Sequence, residues 1–409
     1  MKRFALTLML SLFTLPVLAQ DTFTIYWNSS HYYEAYQDVF DQFASEHNLK
    51  LDVQNFQWDD MRTKLLADFT GGTEPDFIEV PAPWTAEFGA QGLMLDLTEN
   101  IDNWADSRDW FDSTWNEVTV DEMIYGMKLH HTALGFFYNK DLLEQAGLDP
   151  ENPPTTLEAF EAATNAIAEK TDAFGFGFDG DDQYLLGFLA SAETPSLTDG
   201  NETAIDTPII RTTLATLQRI AASGNALVPE PGATAQATTR AFIEGQVGMI
   251  LTGPWDIGNI SENAPDLNYG VNKVPIVEGA ESRTLAAGTA IGIPSGSRHA
   301  ELAWELAQRL TAVDTEVAAT LEAGMLMPRQ SWLDDSRIQD VRTVQEFGSL
   351  LSIAVPFDSD VRKLGINEVT WGGDIFSQLY QNIIYNSLPS DQALDEYIET
   401  ANRTLSRVR

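Results

Sequence analysis

Between Thr22 and Val80 the repeat of the apolar residues keeps switching between two and about 3.6, and this switching limits the fold more than any other feature of the chain. Thr22 to Trp27 alternates with period two. Tyr32, Tyr36, Val39, Phe40 and Phe43 then recur at helical spacing, and Leu49, Leu51 and Val53 alternate again. A second helix carries Met61, Leu65, Leu66 and Phe69, stops at Gly71-Gly72, and leads through Pro75 into a short strand from Asp76 to Val80. Strand and helix alternating in one polarity imply a parallel sheet with helices packed on it. Ligands of such sheets sit beyond the carboxyl ends of the strands. Trp27, Asn28 and Ser29 lie just past the first strand, and Glu79 and Pro81 to Trp84 lie at or past the third, so these are the first candidate site residues.

A second run of the same kind starts with a strand from Ala133 to Asn139. Thr155-Thr156-Leu157-Glu158 reads as a capping box opening a helix to about Lys170, and Phe174 to Phe178 reads as a strand. Thr207-Pro208 to Ser223-Gly224 has a cap, a first-turn proline and a terminal glycine, which predicts a helix. Val247 to Leu251 is a strand that breaks at Gly253-Pro254 into a turn with Trp255. Leu285 to Pro294 predicts a further strand, followed by an amphipathic helix from His299 to Leu310 in which Trp304 reads as core. The C-terminal residues predict two helices, about 373 to 386 and 390 to 407, joined at Leu388-Pro389. At 409 residues there is chain for two domains, and with neither short repeats nor a low-complexity linker they are expected to be joined by ordered crossings.

The N-terminus addresses the compartment. Lys2 and Arg3, the apolar run Phe4 to Leu15, and Pro16-Val17-Leu18-Ala19 form a charged region, a hydrophobic region and a small-residue cleavage site. Residues 1–19 are therefore expected to be a signal peptide cut after Ala19, and the run is too short to span a bilayer. No Cys stands at the cut, so no lipid anchor is expected; the mature protein should be periplasmic and soluble, without membrane insertion.

Charge narrows the partners. With 61 Asp+Glu against 24 Lys+Arg the chain carries -37, which repels phosphate backbones and anionic membrane surfaces, so no nucleic-acid partner is expected. The 44% hydrophobic content places it among globular rather than disordered chains. The absence of Cys removes disulfides, thiolate nucleophiles and Cys-ligated metals.

Local motifs for catalysis are missing. Gly175-Phe-Gly177-Phe-Asp-Gly180 fits a dinucleotide fingerprint in letters only, because its glycines fall inside an alternating strand rather than in a strand-to-helix turn. Asp179, Asp181 and Asp182 suggest a surface calcium ion, but no twelve-residue loop with a closing Glu follows. His130 and His131 are adjacent, and neighbours on an extended chain point to opposite faces, so they would not chelate one metal together. Neither a metal nor a cofactor is expected. Any two of the many carboxylates could form a glycosidase pair in the fold, which keeps a secreted glycoside hydrolase as an alternative.

The tryptophans point elsewhere. Trp27, Trp84, Trp255 and Trp371 fall at strand-to-helix junctions or beside Gly and Pro, where side chains reach a crevice. A flat aromatic face suits the C–H face of a pyranose, and neighbouring Asn, Asp, Glu and Ser suit its hydroxyls. Trp110 and Trp115 read equally as surface or core.

From Phe23 onward the chain resembles the extracellular solute-binding proteins of bacterial sugar ABC importers, the group that includes maltose-binding protein. The resemblance rests on several pieces in the same order. They are Lys64-Leu-Leu-Ala-Asp-Phe-Thr-Gly-Gly-Thr-Glu-Pro-Asp76, Phe88-Gly-Ala-Gln-Gly-Leu93, Gly135-Phe-Phe-Tyr-Asn-Lys-Asp-Leu-Leu-Glu-Gln-Ala-Gly147, Ala241-Phe-Ile-Glu-Gly-Gln-Val-Gly-Met249 with Gly253-Pro-Trp255, and Ile291-Gly-Ile-Pro-Ser-Gly-Ser297. It implies a two-lobed α/β periplasmic binding protein fold, type II, with crossing strands that form a hinge. Lobe 1 is then 21–130 plus 287–332, and lobe 2 is 134–285 plus 336–409. The resemblance places a ligand between the lobes. It assigns Trp255 as a stacking aromatic, Trp371 to another aromatic region, Glu79 and Pro81 to Trp84 to a contact loop, His131 and Thr132 to a sugar-touching crossing, and Asp182, Gln183 and Tyr184 to a further loop. Relatives often have Gly-x-Pro before the crossing strand where this chain has Gly126-Met127-Lys128 followed by His130-His131, so its sugar-reading residues there are expected to differ. The function implied is capture of a mono- to oligosaccharide by a monomer, without catalysis, and delivery to a membrane-embedded ABC permease. A polyamine, which the acidity suits, or glycerol-3-phosphate, which needs an Arg/Lys clamp, are the alternative cargoes.

Overall fold

The computed structural model describes residues 20–180, 183–192, 197–198, 202–230, 235–356, 361 and 375–407. β1 (Asp21–Asn28), β2 (Leu49–Phe56) and β3 (Phe77–Pro81) are parallel, with β1 in the middle and an unbroken register from Asp21↔Leu49 to Asn28↔Phe56. α1 (Glu34–His47) and α2 (Trp58–Gly71) make the crossovers. Each ends on a left-handed residue, Asn48 at φ 51° and Gly72 at φ 66°, residue types that adopt this conformation at low cost. β1 is buried on both sides: Phe23, Ile25 and Trp27 share one core with Tyr36 and Phe40, while Tyr26 joins Met61, Leu65, Ile78, Val80 and Phe88 on the other face.

A hairpin of β4 (Thr119–Val120) and β5 (Met123–Ile124) leads to β6 (Met127–Lys128), after which the chain leaves the first sheet through β7 (Thr132–Ala133) and enters β8 (Gly135–Asn139). β9 (Phe174–Gly177), β10 (Ala226–Leu227), β11 (Val247–Thr252) and β12 (Tyr269–Asn272) complete a second sheet in the order β10-β9-β11-β8-β12. The chain then returns through β13 (Thr284–Ala287) to β14 (Thr289–Gly292), which closes the first sheet in the order β2-β1-β3-β14-β6. Between the two, β7, β13 and β15 (Ala354–Val355) form a small sheet of their own. The second lobe has a separate core around Phe136, Phe160, Phe176 and Phe188, to which the helices Ser377–Ile384 and Ser390–Leu405 contribute Leu379, Ile383, Leu394 and Tyr397. Among the described residues no helix is long and apolar enough to cross a membrane.

Several local expectations are corrected. The strand expected from Ala133 to Asn139 is two strands split at Leu134, because Ala133 pairs with Ala286 whereas Gly135 pairs with Thr252. The strand expected from Leu285 to Pro294 splits at Gly288. That glycine has φ 123°, and a Cβ there would lie 2.1 Å from the His130 carbonyl oxygen, so the two crossings touch backbone to backbone. The helix cap is Thr156, whose hydroxyl accepts from the Ala159 amide at 3.2 Å, rather than Thr155. Trp304 is half-buried rather than core, set edge-on to Trp104 at 5.8 Å. Trp110 is buried and stacks at 4.8 Å on the half-buried Trp115.

Candidate ligand-binding site

Strand direction locates the site. Pro81, at the carboxyl end of β3, pairs with Thr289 at the start of β14, and Ala290 beside it pairs with Lys128 at the end of β6. From there the chain crosses to Gly135, which pairs with Thr252 at the carboxyl end of β11. The carboxyl edges of the parallel strands in both sheets therefore turn toward the crossing, the place where open α/β sheets bind ligands.

The first lobe's edge is polar, buried and densely bonded. Asn28 ends β1; its Oδ1 accepts from the Ser30 amide at 2.8 Å and starts the turn Ser29–His31, while its buried Nδ2 has no partner among the described residues. The Asn28 amide donates to Glu79 Oε2 at 3.1 Å, and the other carboxylate oxygen of the fully buried Glu79 lies 2.6 Å from His31 Nδ1. His130 joins from the crossing segment: its Nδ1 is 2.9 Å from the Thr289 hydroxyl, and its Nε2 is 2.8 Å from the Tyr36 hydroxyl. Burial holds the His130 imidazole well below its ordinary pKa, with the nearby His31 and Lys128 adding to the effect.

His131, the next residue, faces different company, with its ring 5.9 Å from Phe111. Burial first and Lys128 second push it down to about 3, against a small opposing pull from the Leu351 carbonyl. Thr132 is buried, and its hydroxyl has no partner among the described residues. Lys128 is itself fully buried; it pairs with Glu117 and donates to the Ala287 carbonyl at 3.3 Å, tying one crossing to the other.

Two expected aromatics are not at this surface. Trp27 is fully buried, edge-on to Tyr36 and Phe40 at 5.5 and 5.2 Å, with its indole N–H on the His31 carbonyl at 2.9 Å. It faces the core because it shares the parity of Phe23 and Ile25 on β1. Trp84 is buried on the helix Ala82–Ala90, with the Arg62 guanidinium 4.8 Å over its ring. The ring in front of it is Trp58, half-buried at the first position of α2, 6.3 Å from Trp84 and 5.6 Å from His31. Trp58, His31 and His130 are candidates that the sequence reading did not nominate, although the strand-to-helix junction after β2 marked Trp58 by the same rule that selected Trp27.

The second lobe presents Trp255, 45% exposed, at the start of the helix Trp255–Asn263. Its neighbour Asp256 is buried and accepts from the hydroxyls of Thr239 at 2.8 Å and Thr252 at 2.6 Å, which pins the helix start to β11. The indole lies against Gly253, where a Cβ would be 2.3 Å from the ring. Gln183 and Tyr184 open the helix Gln183–Ala192, but their side chains, like Asp181, Asp182 and Trp371, lie outside the described residues. Asp179 is buried, with its carbonyl accepting from the Tyr380 hydroxyl, so it is not part of an exposed acidic loop. Taken together, one edge offers fixed hydrogen-bonding groups beside an aromatic ring, and the other offers an exposed aromatic face.

Known proteins share this architecture. A binding protein of Brucella abortus (strain 2308) is 26% identical over 303 residues, covering 72% of this chain and 72% of its own. The galactooligosaccharide-binding protein of Bacillus subtilis (strain 168) is 23% identical over 295 residues, with 69% and 67% covered. The crystal structure of an ABC transporter solute-binding protein from Thermotoga lettingae, bound with α-D-tagatose, matches at a TM-score of 0.80 and 25% identity over 94% of this chain and all of that one. The family model described as bacterial extracellular solute-binding protein matches residues 27–315, well over half of the chain. The two sheets joined by paired crossings are thus the two lobes of a substrate-binding protein fold, and the chain belongs to the bacterial extracellular solute-binding protein family.

Proposed function

We propose that the protein captures a neutral sugar, from a monosaccharide to a short oligosaccharide, between its lobes and presents it to a membrane-embedded ABC permease. The observation that carries this reading is the pairing of an exposed Trp255 on one carboxyl edge with the partly exposed His31 and Trp58, held in place by the buried Glu79 and Asn28, on the other. An indole face binds the apolar side of a pyranose ring, and fixed polar groups bind its hydroxyls. The sugars named for the Bacillus and Thermotoga relatives support the same class of cargo. His131 and Thr132, on the crossing, and Gln183, Tyr184 and Trp371, from the second lobe, complete the proposed contacts.

On this reading the protein is a monomer of the periplasm, released by cleavage after Ala19, and acts without catalysis. Lobe 1 comprises 21–130 plus 287–332 and lobe 2 comprises 134–285 plus 336–409, with β7 and β13 at the hinge. A ligand that touches both lobes favours the closed arrangement by its difference in affinity for the two, so occupancy is reported as a change of shape. A thermal-shift screen of the purified protein against a sugar panel tests the cargo. A true ligand at a hundredfold excess over Kd stabilises by about 2.7 kcal/mol. Small-angle scattering with that sugar should show a smaller radius of gyration; a panel with no stabilising sugar, or identical scattering with binding confirmed, overturns the reading.

A further inference from the structure

His31, Glu79 and His130 come from three separate segments, the turn after β1, the strand β3 and the crossing, and converge on one point. Their ligand atoms all lie within 4.8 Å of one another. Glu79 Oε1 is 2.6 Å from His31 Nδ1 and 3.8 Å from His130 Nδ1. The rings of His31 and His130 stand edge to face at 4.9 Å. Two imidazoles and one carboxylate are the donor set of a three-ligand zinc site that keeps its fourth position open. Such nitrogen and oxygen donors suit zinc and its neighbours in the first transition row.

The surroundings hold these groups as outer bonds hold metal ligands. The Asn28 amide binds Glu79 Oε2 at 3.1 Å and leaves Oε1 for the histidines. The Tyr36 hydroxyl, 2.8 Å from His130 Nε2, sets the ring so that Nδ1 points toward Glu79. Glu79 and His130 are fully buried, and His31 retains 18% side-chain exposure, so an ion enters on the His31 side. Ligand atoms of a tetrahedral zinc ion stand about 3.3 Å apart. His31 and Glu79 would separate by about 0.7 Å to reach that spacing, and Thr289 would release His130 Nδ1.

We propose that His31, Glu79 and His130 bind one divalent transition-metal ion of the zinc type at the carboxyl edge of β1 and β3, with a coordination position open on the His31 side. This site stands whether or not the cleft takes a sugar. A second cluster among the described residues, Glu46, His47 and Glu305, is a surface group whose two carboxylates already engage Arg309 at 2.6 and 2.5 Å, and it serves as the control.

The test is calorimetric titration of chelator-stripped protein with zinc, paired with the visible spectrum of the cobalt-loaded form, both without sugar. One ion per chain is expected, with cobalt bands of four-coordinate intensity. His31→Ala and Glu79→Gln should each weaken zinc binding by about tenfold or more and remove the cobalt bands, whereas His47→Ala should leave both unchanged. His31 lies on a short surface turn, so its variant is expected to fold, as a melting curve will verify. Absence of stoichiometric binding by the unaltered protein, unchanged zinc affinity in His31→Ala, or loss of the bands in His47→Ala would overturn the site. The sugar screen, run on the same stripped protein, reports on the cleft separately.

Discussion

The two edges that face the crossing are built in opposite ways. On the first lobe, Asn28, Glu79 and His130 are buried and bonded to each other or to neighbouring groups, with Trp27 locked beneath them. On the second, the large ring of Trp255 stands out into solvent while Asp256 beside it is pinned. The first edge is part of its lobe's core, so changes there are expected to act on folding as well as on the proposed binding. The second is a ring placed on a finished lobe, so its removal is expected to spare folding and to act on the proposed binding.

Trp27→Ala should break the first lobe most severely, with a loss of about 3–5 kcal/mol in folding stability, since it empties a fully enclosed indole site. Urea unfolding measures it; an unchanged midpoint would mean that Trp27 is not core. Trp255→Ala should show the reverse pattern, with stability nearly unaltered and sugar affinity reduced by about 2–4 kcal/mol, as for a binding anchor. Titration calorimetry with the stabilising sugar decides this, and equal affinity would remove Trp255 from the site.

Gly288→Ala probes the seam between the edges. The added Cβ must displace the His130 carbonyl or move Gly288 from its left-handed conformation, at a cost of about 1–3 kcal/mol. A melting temperature equal to that of the unaltered protein would show that the two crossings are not held in contact.

The smallest effect is the most specific. The folded-state pKa of His131, about 3, lies below the ordinary unfolded value of about 6.5. Between these values the unfolded chain takes up a proton that the folded one refuses, so stability falls as pH drops below about 6.5, by about 1.4 kcal/mol per pH unit. His130 acts in the same direction. Glu316 acts in the opposite one, because burial raises its carboxyl well above the usual range. His131→Gln should therefore flatten the slope of stability against pH by one proton. Urea unfolding at pH 6.5, 5.5 and 4.5 measures that slope, and an unchanged value would mean that His131 is not buried neutral.

Much of this was legible in the sequence where the signal is local. The period changes from Thr22 to Val80 marked β1, α1, β2, α2 and β3 within a few residues, since each element's apolar face repeats along its own segment. Strand parity was also legible, since Trp27 shares the face of Phe23 and Ile25, which the two-residue repeat alone implies. The breaks at Leu134 and Gly288 were not legible, because an apolar run does not show where a strand exchanges one partner for another. The meeting of His31, Glu79 and His130 was out of reach for the same reason. No spacing within one segment encodes a contact among three, although the divergence of His130 from His131 did follow from their adjacency.

The indole of Trp255 rests on the bare backbone of Gly253, with the next residue tied down on β11. A side chain held this way has few rotamers left to lose when a ring stacks on its outer face. Immobilising a free side chain at an interface costs about 0.5–1.5 kcal/mol, and here that entropy is already spent when the chain folds. Gly253→Ala would keep the aromatic group but dislodge it, so weaker binding would come from restored disorder rather than from a missing contact. If Trp255 stacks on a sugar as proposed, the backbone of Gly253 beneath it sets how long that sugar stays.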